Sequence, residues 1–71
     1  MKKVKVTIEN LVEVFKYHNK VDSTAPKHQM LQWIVEDMIQ FGGMPVWERN
    51  CRGERTKISH LIQLNELVEI P

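Results

Sequence analysis

From Pro26 to Phe41 the chain carries apolar side chains around more than half of a helical circumference, and it has little else with which to cover them. Leu31, Ile34, Val35 and Met38 recur at helical spacing on one face, and Met30, Trp33, Asp37 and Phe41 widen it. Ser23 or Thr24 is a candidate cap. Pro26 suits a first turn, where its missing N–H costs little. Gly42-Gly43 stops the helix, because glycine accepts the left-handed conformation that closes helical C-termini. A helix this apolar is expected to lie at the centre of the fold or against a partner.

Size limits what can surround it. Seventy-one residues with 42% hydrophobic and 27% charged side chains make one ordered domain, residues 1–71, because two cores would each be too small to fold unaided. Cys51 is the only cysteine, so no internal disulfide staples the core. Part of the stability is therefore expected from self-association, and the chain is expected to form homo-oligomers. The opening MKKVKVTIEN lacks the apolar stretch of a signal peptide, and no apolar run approaches the ~20 residues that span a bilayer. No membrane association is expected, and the expected location is the cytoplasm.

The rest of the chain supplies short elements. Residues 2–6, KKVKV, set Val4 and Val6 among lysines as an edge strand does. Thr7 is placed to cap a first helix from Ile8 to His18, whose face carries Ile8, Leu11, Val12, Phe15 and His18. After the glycines the period changes. Met44 to Arg49 is extended, Asn50-Cys51-Arg52-Gly53 holds turn formers at both ends, and residues 54–59 alternate, which predicts a hairpin with a basic tip. In residues 60–70 helical and strand patterns compete; a short helix over 61–68 is slightly preferred. The expected class is α+β: a small winged-helix-like domain with two helices, a β-hairpin and a short N-terminal strand.

Little points to catalysis. His18, His28 and His60 are dispersed, and no serine stands in a nucleophile elbow or beside a base at motif spacing. Glu36 and Asp37 are adjacent, hence about 100° apart on a helix, and do not converge as an acid–base pair. No glycine loop precedes a helix to cradle phosphate. Cys51 and His60 lack second ligands at zinc spacing. The expectation is a non-enzymatic protein with no metal site and no cofactor.

Binding has more support. Net charge is only +1, but residues 1–20 hold five lysines against two glutamates and residues 48–57 hold four cations against two glutamates. Lys27, His28, Gln29 and Gln32, in the second helix's first turns, suit base edges; Arg49, Arg52, Arg55 and Lys57, around the hairpin tip, suit phosphates. The strand running through Thr7 into a helix, Gly-Met-Pro-Val at 43–46, Arg52-Gly53-Glu54 and a leucine-rich end resemble the small phage excisionases. That family's members are winged-helix proteins that bind double-stranded DNA site-specifically, often cooperatively, and bend it to direct an integrase; some also repress transcription. The resemblance spans residues 30–67 and the opening. By position it implies that Lys27, His28, Gln29 and Gln32 read bases while Arg49, Arg52 and Arg55 form the wing. The interhelical linker is longer than a helix-turn-helix turn, and Glu36-Asp37 oppose phosphate if turned toward DNA. The alternative partner is a protein: a small inhibitor or adaptor would use Met30, Trp33, Met38 and Phe41 as an apolar helix surface.

Overall fold

The computed structural model describes residues 2–71 as strand β1 (Lys2–Lys5), helix α1 (Leu11–Asn19), helix α2 (Lys27–Phe41) and strands β2 (Met44–Arg49), β3 (Arg55–Ile62) and β4 (Leu67–Ile70). It is an α+β arrangement of two helices with two small antiparallel sheets, β1–β4 and β2–β3. Val6, Leu11, Val14, Ile34, Met44 and Ile62 form the driest part of the core, and Val68 and Ile70 of β4 join it, so every element or its flank contributes. No helix among the described residues is long and apolar enough to cross a membrane.

α1 begins three residues later than its periodicity implies. Thr7 does not cap it, and Ile8 is exposed in a turn over residues 8–10. The Asn10 side chain decides this, accepting the Thr7 N–H at 2.8 Å and donating to Lys5 O at 2.9 Å. An amide that bonds the local backbone competes with helix formation, so the turn persists until Leu11. α1 then buries Leu11, Val12, Val14 and Phe15. It closes on Lys20 in the left-handed region (φ 55°), with Val21 N–H donating to Lys16 O at 3.0 Å.

α2 has the expected bounds within one residue. Pro26 occupies the capping position itself, while Ser23 Oγ accepts from Ala25 N–H instead of capping the helix. The two closing glycines serve different ends. Gly42 adopts φ 81°; at Gly43 a Cβ would meet Gln63 Nε2 at 2.5 Å and Leu61 Cβ at 3.0 Å, so a side chain there would displace the Gln63 amide and crowd Leu61 at the end of β3. The helix is less central than its composition implies. Only Met30 and Ile34 are buried, whereas Trp33, Val35 and Ile39 are exposed, which corrects the expectation that Val35 shares an inward face with Ile34. Two helices and two two-stranded sheets have too little area to enclose all sides of a helix.

The hairpin forms as expected, with bulges between Val46 and Trp47 and between Glu48 and Arg49. Asn50 Oδ1 organises its turn by accepting the N–H groups of Arg52 and Glu54, and Gly53 supplies φ 80°. The preferred helix over 61–68 does not form. β3 continues to Ile62, the chain turns at Asn65 (φ 70°), and β4 pairs Val68 with Val4 and Ile70 with Lys2. β1 requires a strand partner for its backbone groups, and the alternation of buried Val68 and Ile70 with exposed Leu67 and Glu69 provides one.

A buried amide joins α1 to the hairpin. Asn19, 2% exposed, donates Nδ2 to Pro45 O at 3.0 Å and accepts Trp47 N–H on Oδ1 at 2.9 Å. Asn19→Ala strands both backbone groups and is expected to cost about 2–4 kcal/mol. Unfolding followed by circular dichroism should show a midpoint lower by on the order of 10 °C or more; an unchanged midpoint would refute the bridge's structural role.

The β3–β4 turn is held by Glu66. Its carboxylate lies below the ordinary value of 4.5, first because the His60 ring bonds Oε2 at 2.8 Å, then because Gln63 N–H donates to Oε1 at 3.1 Å. A folded-state value below the unfolded one means stability that is present above about pH 4.5 and lost as pH falls through the folded value. Glu66→Gln should melt below wild type near neutrality, and the gap should close on acidification. A gap independent of pH would contradict the carboxylate's part.

Candidate functional site

The outward surface of α2 and the hairpin beside it hold most of the polar and cationic groups singled out above. At about 100° per residue, the exposed arc of α2 runs from His28, Val35 and Ile39 through Gln32, Glu36 and Gln29 to Trp33. His28, Gln29 and Gln32 thus share one solvent-facing surface. Lys27 is exposed but turns toward α1, where it lines a hollow with Glu13 and Lys16.

The four hairpin cations are all exposed, and each has different surroundings. Arg55 lies over the Trp47 ring at 5.4 Å and reaches the flank of α2. There it lines a hollow of about 360 Å³ with Trp33, Glu36, Asp37 and Met30. Arg49 turns the other way. Its guanidinium donates to Gly53 O at 2.8 Å and to Asn19 O at 3.5 Å, and it borders a second hollow of about 540 Å³ with His18, Lys20 and Thr56. Lys57 Nζ is 3.5 Å from Glu48 Oε2, an exposed pair of small energetic weight. Arg52 stands at the turn itself.

The aromatic pair behind Arg55 explains why it is held against α2. Phe41, in the last turn of α2, meets Trp47 edge-on with ring centroids 5.9 Å apart. Trp47 Nε1 is buried with no hydrogen-bond partner among the described residues, so the indole is held by packing and by the cation over its face. The hairpin is therefore anchored at its base by Asn19 and along its length by Phe41 and Arg55.

The neighbouring carboxylates differ in burial, Asp37 half-buried and Glu36 exposed, but both line the hollow beside Arg55.

Chemically the surface offers amide donors and acceptors, the exposed carboxylates of Glu36, Glu48 and Glu54, and exposed cations, a recognition inventory. Sequence reading missed Lys20, which borders the Arg49 hollow, and Asn19, which places β2. Asn19 lies four residues after Phe15 and eight after Leu11 on the apolar face, a spacing that marks it as inward-facing. Cys51 is exposed in the hairpin turn. Comparisons with protein-family models, curated proteins and solved structures found no match to this chain.

The two turn arginines should respond differently to truncation. Arg49→Ala removes two bonds to backbone carbonyls and is expected to cost about 1 kcal/mol, whereas Arg52→Ala should leave stability within about 0.5 kcal/mol. Urea unfolding of both variants distinguishes them; equal midpoints would mean that Arg49 does not brace the turn.

Proposed function

We propose that the chain is a non-enzymatic, winged-helix-like DNA-binding domain of excisionase or transcription-regulator type. In this reading α2 enters the major groove of double-stranded DNA and the β2–β3 hairpin follows the sugar–phosphate backbone as a wing. The carrying observation is adjacency: Arg55 of the wing and Trp33 of α2 line one hollow, so the cationic hairpin flanks the arc that presents Gln29 and Gln32. A helix of 15 residues whose first turns bear amides and an imidazole can reach base edges, and side-chain amides pair well with adenine. The wing's cations are exposed at a turn, where phosphate contact requires little rearrangement.

The division of roles gives each residue a place. His28, Gln29 and Gln32 read bases, with Lys27 at the helix start nearer the backbone. Arg52, Arg55 and Lys57 meet phosphates, and Arg49 both braces the turn and adds charge. Glu36 and Asp37 line the hollow beside Arg55, where its cation moderates their repulsion of a phosphate backbone.

A second reading rests on a specific feature. Ile39 is 81% exposed, and Val35 and Trp33 are also exposed on α2. Such apolar groups suit a protein surface, either an external partner or a second copy of the chain. Salt separates the readings, because phosphate binding weakens steeply with ionic strength and apolar contact does not.

Fluorescence anisotropy with labelled duplex DNA across a salt series tests the proposal. Wild type should bind at low ionic strength, with log affinity falling linearly against log salt. Replacing both Arg52 and Arg55 with Ala should weaken binding to all sequences and reduce that slope by about two units, one for each lost contact. Absence of salt-sensitive duplex binding by wild type would falsify the DNA reading.

A further inference from the structure

The hollow between α2 and the hairpin brings together three charges that do not pair. Trp33, Glu36 and Asp37 stand at i, i+3 and i+4, neighbours on one side of α2, and Arg55 of β3 lines the same hollow. Among the described residues, neither carboxylate has an ion pair or a side-chain hydrogen bond. The Arg55 guanidinium has none either and lies over the Trp47 ring. The lining between the charges is apolar. Phe15, Met30 and Ile34 reach it from the buried core, and Trp33, 48% exposed, borders it. Its volume of about 360 Å³ lies within the range of small-ligand sites, and an apolar lining with a few convergent polar groups is their usual composition.

We infer that this hollow binds a small apolar zwitterion, an α-amino acid with a hydrophobic side chain. Its ammonium group meets the Glu36 and Asp37 carboxylates, its carboxylate meets Arg55, and its side chain rests against Trp33 and the core residues beneath. The alternatives each leave a charge unanswered. A simple anion is repelled by two carboxylates, and a simple cation by the guanidinium. An uncharged apolar molecule covers all three charges and pairs none, which is costly. A zwitterion gives each sign its opposite, and its apolar part removes exposed indole surface from water.

The donors and acceptors match in kind. An ammonium has three N–H donors and the carboxylates only accept, while a guanidinium presents paired N–H donors to a carboxylate. The charges stand on two elements, the carboxylates on α2 and the guanidinium on β3, so the bound molecule spans the joint between helix and hairpin. This site uses no nucleic acid and does not rest on the DNA-binding reading.

The test is an NMR titration of the full chain, without DNA, with four probes. They are L-phenylalanine, phenethylamine (no carboxylate), N-acetyl-L-phenylalanine (no cation) and glycine (no apolar body). L-phenylalanine should shift the signals of Trp33, Asp37 and Arg55 saturably, and each other probe should bind about tenfold more weakly or worse. Arg55→Gln should weaken phenylalanine by about tenfold without weakening phenethylamine, which has no group for the guanidinium. Asp37→Asn should weaken phenylalanine without weakening N-acetyl-phenylalanine. Amide spectra establish that each variant is folded, and the comparison of probes on wild type stands where a variant is not. Phenethylamine or glycine binding as tightly as phenylalanine would overturn the inference. So would the absence of saturable shifts up to about 10 mM phenylalanine, or shifts confined to residues outside the hollow. Because no arm contains DNA, each of these failures leaves the DNA reading standing.

Discussion

The arrangement of this domain turns on the side chain of Asn19. Its amide donates to Pro45 O and accepts from Trp47 N–H, backbone groups two residues apart on β2. A neighbouring strand would exchange the same pair of bonds, so one side chain substitutes for a strand along the open edge of a two-stranded sheet. Pro45 contributes no N–H, which leaves the Asn19 bridge as the buried polar link between α1 and β2. Because the bond to Pro45 O is buried and that from Trp47 N–H is part-buried, little rotation of the hairpin about α1 is possible without stranding polar groups.

Everything proposed about recognition depends on that constraint. The hairpin leaves the core at an angle set at its base by Asn19, and Phe41 and Trp47 hold its inner face against the end of α2. Arg55 then lies over the indole and beside the α2 hollow, so a cation from the hairpin and amides from the helix occupy neighbouring surface. The chain's net charge of +1 conceals this distribution. Local placement, not total charge, determines whether a phosphate backbone can be met at several points at once.

The small size of the fold also accounts for its surface. β1 and β4 close one side of the core, the hairpin closes another, and α1 covers part of α2. No element remains for the outward arc of α2, where Ile39 and Trp33 stay in solvent. Apolar content around a helix therefore measures what it could bury, whereas the number of available layers sets what it does bury. The same shortage explains the C-terminal strand. With β1 otherwise unpaired, residues 67–70 are worth more as its ladder partner than as a last turn of helix.

Local chemistry alone determined a good part of this protein. The extent of α2 followed from Pro26 and Gly42, the hairpin from Asn50 and Gly53, and the cationic tip from the arginines around them, because a proline ring, a left-handed glycine and a side-chain-bonded turn act within a few residues. The candidate recognition groups Gln29, Gln32, Arg52 and Arg55 were legible for the same reason. The start of α1 was not, since Asn10 bonds back to β1; nor was β4, whose backbone partner lies more than sixty residues earlier along the chain. Whether Trp33 was buried was likewise decided by tertiary structure: it depends on where the hairpin packs, and the hairpin is tied at its base by a hydrogen-bonded amide 26 residues before its partner in the sequence.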